Sequence, residues 1–349
     1  DKKSQQSQGI NMIEGMGEVH PTQQQKKRLD LSKPRWDQSS YEGRAQHFFT
    51  TTNPLNVLAT DAELEAAKSL VVAYREGTEP PGTTEEQVWA AKNLYDSAFH
   101  PETGEKLFIL GRMSFQVPGN MTITGAMMTF YKSTPAVIFW QWANQTFNAV
   151  VNYTNRSASS EVSTTQLGQA YALATSGAMA TALGMNKLIA SSPTLSSGMV
   201  GRFVPLMAVA AANCINIPCM RQAELTNGIT IKTAEGDAGH PIGLSKAAAK
   251  SAIMQVVPSR VAMAAPAMFI PPLLMARVEK AAFMVKNPWL KAPLTIATAG
   301  FCLAFSTPAC CALFPQESSL PLAALEPALQ EKVKKEYPNV SKVFFNKGL

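Results

Sequence analysis

The sequence predicts an all-α, polytopic membrane protein with about five transmembrane helices and a small helical N-terminal soluble region. Charged residues make up only 16% of the 349-residue chain, whereas soluble globular domains carry about 25%. Windows without any charged residue recur through the C-terminal two-thirds; they span residues 133–155, 162–186, 203–220, 261–276 and 292–316. Because about 20 apolar helical residues cross a bilayer, several such windows indicate several crossings.

The uneven distribution of charge divides the chain into four regions. Residues 1–30 are rich in Gln, Lys and Ser and are predicted to form a disordered tail. Residues 31–112 form a polar helical region, 113–316 the transmembrane bundle and 317–349 an amphipathic tail. Apolar residues recur at helical spacing in that tail and predict a surface helix; they are Leu322, Leu325, Leu329 and Val333.

Two capped helices are predicted in the polar region. Thr60 followed by Glu63 is a capping box, which marks a helix start. After the break at Pro80-Pro81-Gly82, Thr83 with Glu86 is expected to open a second helix. Both helices have one apolar face, so we expect that face to pack against a partner surface.

The first membrane segment allows two readings. Residues 113–131 and 133–155 are separated only by Lys132, so they form either two short inserted helices or one crossing with interfacial flanks. Further crossings are predicted at 167–187, 199–219, 256–276 and 294–314. In the first of these, every fourth residue is alanine, which favours close helix packing; the ridge comprises Ala170, Ala174, Ala178 and Ala182.

The loop between the last two predicted crossings is rich in lysine and arginine, as is the N-terminal region. The positive-inside rule places positively charged loops on one side of the membrane. The N-terminus and the 277–291 loop are therefore expected to share a side, which requires an odd number of crossings.

Amide side chains form a stripe along the predicted helix of residues 133–155. Its members recur at spacings of three and four; they are Gln141, Asn144, Gln145, Asn148 and Asn152. Each amide uncovered in lipid costs several kcal/mol, so the stripe should face protein or a water-filled cavity. Hydrogen bonding between helices explains the stripe as well as a substrate path does.

A second polar feature lies in the apolar run AANCINIPCM, residues 211–220. Asn213 and Asn216 lie one turn apart, and Pro218 cannot donate to the carbonyl of Cys214. Pro118-Gly119-Asn120 and Pro266 are expected to break other segments, and proline-broken segments mark the midplane site of transporters. Amides suit a zwitterion, because they donate to a carboxylate and accept from an ammonium group. Arg260 either pairs with a substrate carboxylate or extends to the lipid headgroups.

Several function classes lack support in the sequence. The net charge of +6 is not accompanied by a basic stripe or a zinc motif, so no nucleic-acid partner is expected. Five cysteines lie in apolar windows without metal-binding spacing, so no metal or cofactor is expected. HPETGEK lacks the frame of a phosphate-binding loop, and without a catalytic set the chain is not expected to be an enzyme.

Several stretches of the chain resemble the sideroflexin family. They are PRWDQSSYEGRAQHFFTTTNP (34–54), HPETGEK (100–106), the run from GRMSFQVPGNMTITG through TPAVIFWQWANQTFNAVVNYTNRS, and GRFVPLMAVAAANCINIPCMRQAEL. The similarity extends from about residue 31 to FNKGL and is greatest to the mitochondrial inner-membrane serine transporters that feed one-carbon metabolism. The resemblance implies about five transmembrane helices, a matrix-side N-terminus and transport of serine, with alanine, glycine or cysteine as further substrates.

The resulting hypothesis is a multi-pass carrier in the lipid bilayer whose substrate is L-serine or a similar amino acid. The residues expected to line the path are Asn213, Asn216, Gln141, Asn144, Asn148, Asn120 and Arg260. Helix breaks that let the protein move are expected at Pro218, Pro118, Gly119 and Pro266. The motif of His100, Pro101, Thr103, Gly104, Glu105 and Lys106 is either a structural turn or a gate. The alternatives are a non-transporting scaffold and a carrier linked to iron or haem.

Overall fold

A computed structural model describes residues 28–348 except 101–102, 131–132, 156–163, 192–199 and 236–238. In chain order its helices are α1 (Tyr41–Thr51), α2 (Asp61–Glu76), α3 (Glu85–Ala98), α4 (Gln116–Phe130), α5 (Thr134–Thr154), α6 (Thr164–Ser191), α7 (Val200–Met220), α8 (Gln222–Asn227), α9 (Lys246–Val278), α10 (Ala282–Lys286), α11 (Lys291–Cys311) and α12 (Pro327–Glu336). The strands are β1 (Ile229–Lys232), β2 (Pro241–Ser245), β3 (Glu317–Pro321) and β4 (Lys342–Asn346). The predicted disordered tail lies outside the described residues, apart from 28–30.

The two predicted helices of the N-terminal region are present as α2 and α3. The capping box of α2 forms as predicted between Thr60 and Glu63. The box of α3 is one residue further along than predicted, at Thr84 and Gln87. The prediction of Thr83 was wrong because its hydroxyl donates to the carbonyl of Pro80 at 2.7 Å and closes the preceding turn. The apolar faces of α2 and α3 pack against each other and form a separate core.

In the part of the chain that the structure describes, six helices form the bundle, namely α4, α5, α6, α7, α9 and α11. Residues 113–155 contain two helices, of which α4 has 15 residues and is about 22 Å long. Within the described residues, Lys246–Val278 and Pro288–Cys311 are long and apolar enough to cross a membrane. Five transmembrane helices are thus not confirmed, and the number of crossings stays a prediction.

Contacts along α4 and α11 show that these helices run antiparallel. A Cβ atom at Gly125 would lie 2.6 Å from Ile296, and one at Gly300 would lie 2.5 Å from Met121. The hydroxyl of Tyr41 donates to the carbonyl of Ala309 at 3.2 Å, so α1 lies against the last turn of α11. We call this end of the bundle the α1 end.

The other bundle helices also connect to the α1 end. Asn155, after α5, donates to the carbonyl of Gly111 at 2.7 Å. Ser318, after α11, donates to Gln255 in the first half of α9 at 2.8 Å. The 279–290 loop, which follows α9, therefore lies at the opposite end. The loop and the N-terminal region thus lie at opposite ends of the bundle, whereas the sequence predicts that they share one side of the membrane; which side each occupies stays a prediction.

Proline interrupts these helices less than predicted. Pro118 lies in the first turn of α4, where a proline loses no helical hydrogen bond. Pro218 lies in the last turn of α7, which continues to Met220. Helix α9 continues through Pro266, although this residue cannot donate to the carbonyl of Ala262. The structure thus contains no break in the middle of these helices, contrary to the sequence prediction.

A four-stranded sheet at the α1 end departs from the all-α prediction. The strand order is β2-β1-β4-β3, and each neighbouring pair is antiparallel. Ile231, Val343 and Phe345 pack with Ala248 of α9 in a buried cluster. The tail contains one helix, α12, between the strands β3 and β4. The predicted surface helix is therefore right for Leu329 and Val333 and wrong for Leu322 and Leu325, which precede α12. Four-residue and five-residue strands separated by about 100 residues give no strong local signal.

The tail is also joined to the N-terminus of α9 by Glu326. One carboxylate oxygen accepts from the backbone N–H groups of Lys246 and Ala247 at 2.7 and 2.9 Å. The other accepts from the hydroxyl of Ser245 at 2.8 Å. A carboxylate here satisfies N–H groups that have no partner within the helix, and it interacts favourably with the helix dipole.

Candidate functional site

The small-residue ridge of α6 is buried in the bundle, as its spacing predicts. Ala174, Ala178 and Ala182 are each at most 1% exposed. A Cβ atom at Gly177 would lie 2.9 Å from Ile215 of α7, so the two helices approach closely. Small residues on α6 thus allow close packing against α7.

The amide stripe of α5 faces protein at two of its positions. Gln141 is 3% exposed and Gln145 is 4% exposed, whereas Asn144 and Asn148 are half-buried. Trp142, between them in sequence, is exposed on the other side of the helix. This orientation agrees with the expectation that the amides avoid lipid. The side chain of Asn152 is outside the described part.

An amide pair connects α5 to α7 in the bundle interior. Asn216 Nδ2 donates to Gln145 Oε1 at 2.5 Å, and both side chains are buried. Among the described residues, Asn216 Oδ1 has no hydrogen-bond partner. The hydroxyl of Thr175, on the neighbouring α6, is also buried without a partner. Most buried polar atoms in proteins are paired, so these two atoms are exceptions.

A hydrogen bond of 2.8 Å between the hydroxyls of Thr146 and Tyr171 joins α5 to α6. Tyr171 lies one helical turn before Thr175 on α6, so this bond holds α6 against α5 close to the unpartnered hydroxyl of Thr175. Residues 133–155, 162–186 and 203–220 contain no Asp, Glu, Lys or Arg. The site therefore offers neutral donors and acceptors from three helices, which suit a small polar solute without net charge.

The structure does not bring every predicted site residue to this amide pair. Asn213 is half-buried one turn before Asn216. Asn120 donates to the carbonyl of Gln116 on its own helix at 2.7 Å. Gly119 is buried against the ring of Phe147, which a Cβ atom would approach to 2.4 Å. Arg260 lines a different pocket at the α1 end.

The HPETGEK motif forms a tight turn fixed to α2. The backbone N–H of Gly104 donates to the carbonyl of His100 at 2.9 Å, and that of His100 donates to Glu105 at 2.8 Å. Thr103 N donates to His100 Nδ1 at 3.2 Å. Lys68 of α2 donates to the carbonyl of Gly104 at 2.9 Å. These bonds support the structural-turn alternative; Pro101 lies outside the described residues.

The motif is also held by charge. Lys106 forms ion pairs with Asp61 and Glu65 of α2, at 3.0 and 3.6 Å. Gly104 has a φ of 65°, a conformation that glycine adopts without strain. All of these contacts are within the N-terminal region, away from the amide pair.

Thr175 is not among the predicted site residues, and its buried hydroxyl has no partner in the described structure. Thr181, two turns later, does bond to the carbonyl of Gly177 at 2.8 Å, whereas Thr175 does not. Gln145 belonged to the predicted stripe but not to the predicted site. Its signal was its spacing of four residues from Gln141, which places both amides on one helix face.

Among the described residues, no group of three or more His, Cys, Asp and Glu side chains is arranged to hold a metal ion. The cysteines differ in burial: Cys302 is buried and Cys214 is exposed. The geometry of the site thus rests on amides and hydroxyls.

Comparison with known proteins places these observations in a family context. A family model described as Sideroflexins matches residues 30–349. Sideroflexin-1 of Ovis aries is 57% identical over 321 residues, which cover 92% of this chain and 98% of that protein. Sideroflexin-1 and Sideroflexin-3 of Homo sapiens are each 56% identical with the same coverage. No solved structure matches the chain.

Proposed function

The chain belongs to the sideroflexin family, and from this premise we propose that it transports serine across the mitochondrial inner membrane. Alanine, glycine and cysteine are further proposed substrates, since they share the zwitterionic backbone and a small side chain. In this proposal the carrier supplies serine to one-carbon metabolism, crosses the membrane about five times, and has its N-terminal region on the matrix side.

The amide pair of Gln145 and Asn216 is the observation that carries the proposal. The pair lies in a charge-free part of the bundle, yet Asn216 Oδ1 and the hydroxyl of Thr175 have no partner in the described structure. A buried oxygen without a partner costs about 1–3 kcal/mol. A substrate that donates hydrogen bonds to these atoms removes that cost, so the site favours an ammonium or hydroxyl group.

Neutral amides also explain the proposed selectivity. Asparagine and glutamine side chains each offer an acceptor oxygen and two N–H donors, so they match both ends of a zwitterion. A substrate with a net charge would be desolvated here without a counter-charge, which is costly in a site of low dielectric constant. In the proposal Gln141, Asn144, Asn148 and Asn213 line the remainder of the path, and helix ends near Pro118 and Pro218 move during transport.

Uptake of labelled serine into liposomes that contain the purified protein tests the proposal. We expect saturable uptake by the wild type and a loss of at least tenfold in Asn216→Ala, because the substrate loses its acceptor and Gln145 loses its donor. Asn287→Ala is the matched control, since Asn287 is exposed in the loop before α11 and uptake should be unchanged.

Two outcomes would contradict the proposal. A well-folded wild type without serine uptake would favour the scaffold hypothesis, in which the amides only join helices. Uptake that Asn216→Ala leaves unchanged, at equal protein incorporation, would place the substrate path elsewhere in the bundle.

A further inference from the structure

Four cationic side chains from separate parts of the chain come together at the α1 end of the bundle. They are Arg44 of α1, Arg221 after α7, Arg260 of α9 and Lys347 after β4. Arg260 and Lys347 line one narrow pocket together with Ser259 and Cys311. We call these four residues the cationic cluster.

Two further contacts place Arg44 and Arg221 beside this pocket. Arg44 Nε donates to the carbonyl of Ala312, the residue after Cys311, at 2.9 Å. A Cβ atom at Gly348, next to Lys347, would lie 3.3 Å from Arg221 Nη2. The four positive charges are therefore neighbours around the C-terminal segment.

The described residues do not supply enough negative charge for the cluster. Glu224 pairs with Arg221 at 2.5 Å, and it is the one carboxylate within ion-pair distance of these four side chains in the described part. Arg44 donates instead to neutral carbonyls. Among the described residues, Lys347 Nζ donates only to the carbonyl of Gly348, at 3.4 Å, although Lys347 is 3% exposed.

Unused hydrogen-bond donors accompany this excess of charge. Arg221 Nη1 is buried and has no partner among the described residues. An uncompensated buried cation is costly, and burial, with Arg260, Arg221 and Arg44 nearby, lowers the pKa of Lys347 to about 8. An anion in the pocket would provide a counter-charge for Arg260 and Lys347, which line it.

The dimensions of the pocket restrict the anion. Val256 and Met263 form apolar walls, and the space between the lining residues admits about one water molecule. The hydroxyl of Ser259 already donates to the carbonyl of Gln255 at 3.1 Å. A monatomic anion is closer in size to this space than a tetrahedral oxyanion, which would require the walls to move further.

We propose that the cationic cluster binds a chloride-sized inorganic anion, which joins the C-terminal segment to α9 and α11. The pocket is separate from the amide pair of α5 and α7, because it is lined by residues of α9, Cys311 of α11 and Lys347 at the α1 end. The anion is a structural ligand in this proposal and is not the transported substrate, so it stands or falls independently of serine uptake.

The test measures thermal unfolding of the full-length protein in detergent at pH 7, with sodium gluconate replaced stepwise by sodium chloride or bromide at constant ionic strength. We expect a saturable rise of the midpoint of about 2–4 °C with either halide. Sodium phosphate at the same ionic strength should give no saturable rise, because phosphate exceeds the pocket. No rise on replacement of gluconate by either halide, or an equal saturable rise with phosphate, would overturn the proposal.

Variants of the lining residues test whether the rise of the unfolding midpoint with halide comes from this pocket. Lys347→Met and Arg260→Gln should each abolish the saturable response, whereas Lys347→Arg should retain it because the charge is kept. Lys335→Met is the control, since Lys335 is exposed on the last turn of α12. A halide response unchanged in both Lys347→Met and Arg260→Gln would overturn the proposal.

A spectroscopic measurement on the wild type tests the anion site even if the variants fold poorly. Binding to the wild type should broaden the ³⁵Cl nuclear magnetic resonance line of chloride, and excess bromide should reverse the broadening. Broadening that bromide does not reverse would mean that chloride has no specific site, which contradicts the proposal.

Discussion

The unpartnered hydroxyl of Thr175 distinguishes a substrate site from a packing contact. If helix packing were its only role, Thr175→Val would remove a buried polar group without a partner and leave serine uptake unchanged. In the proposed transporter the same change should lower uptake several-fold while the protein becomes equally or more stable, by up to about 1 kcal/mol. Uptake assays combined with thermal unfolding measure both effects.

Thr181→Val is the matched control for this prediction, since its hydroxyl bonds to the carbonyl of Gly177 on the same helix. It should leave uptake close to that of the wild type. Equal uptake losses in Thr175→Val and Thr181→Val would indicate a general disturbance of α6 and would contradict a specific role for Thr175.

Lys347 gives a prediction for pH. Its pKa falls from 10.5 to about 8 in the folded protein because of burial, with Arg260, Arg221 and Arg44 adding to the effect against the opposing influence of Cys311. Between these values the unfolded state binds more protons than the folded state, so stability should increase with pH. In chloride-free buffer we expect Lys347 to contribute a gain of about 2 kcal/mol between pH 7.5 and 9.5, measured as the difference between the wild type and Lys347→Met.

Thermal unfolding in chloride-free buffer at several pH values checks this prediction. Lys347→Met should remove most of the pH dependence and stabilise the protein at pH 7.5, because the buried charge is gone. Lys335→Met should leave the pH dependence unchanged. A stability that decreases from pH 7.5 to 9.5 in the wild type would contradict the assigned direction.

At the scale of the element, the packing of α4 against α11 depends on two glycines with different neighbours. A Cβ atom at Gly125 would lie 2.7 Å from the backbone Cα of Ile296, which cannot move without shifting α11. A Cβ atom at Gly300 would meet the side chain of Met121, and methionine adapts easily. Gly125→Ala should therefore cost about 1–3 kcal/mol and Gly300→Ala much less.

Gly184→Ala on α6 provides the comparison for this pair, because no atom lies within 4 Å of the added Cβ. Alanine favours a helix over glycine, so this variant should be at least as stable as the wild type. Thermal unfolding of the three variants in one detergent gives the order. The helix pairing would be in doubt if Gly125→Ala were the most stable of the three.

Elements whose signal is local could be predicted from the sequence, whereas those that depend on distant contacts could not. The capping box at Thr60 and the buried ridge of α6 follow from spacing alone, and the structure has both. The sheet could not be predicted, because β1 and β4 are about 100 residues apart and are short. The prediction of a break at Pro218 was wrong because this residue lies in the last turn of α7, and the sequence does not show where that helix ends.

The same distinction applies to the sites. Amide side chains stand out in the apolar runs at residues 141–148 and 213–216. The sequence therefore predicts Asn216 as a site residue, although it does not show that Gln145 is its partner. The cationic cluster has no such signal. Its members lie between residues 44 and 347, and only the fold shows that they are neighbours without matching carboxylates.

At the scale of the whole molecule, the direction of the six bundle helices predicts the topology. If each of the six described bundle helices crosses the membrane, the N-terminal region and the C-terminal segment lie on one side and the 279–290 loop on the other. Single cysteines at exposed positions in a cysteine-free background test this: Glu86→Cys in α3, Lys335→Cys in α12 and Lys286→Cys after α9. A membrane-impermeant maleimide should label only Lys286→Cys in mitochondria stripped of their outer membrane, because the proposed N-terminal side is the matrix.

Detergent should make all three cysteines reactive, which controls for burial of the thiol. Reversed labelling, with Glu86→Cys and Lys335→Cys reactive before detergent, would keep the even number of passes but invert the protein. Labelling of Glu86→Cys together with Lys286→Cys, and not Lys335→Cys, would restore an odd number of crossings. That result is incompatible with the bond between Tyr41 and Ala309, since this bond holds the N-terminal region at the end of α11 where the C-terminal segment begins.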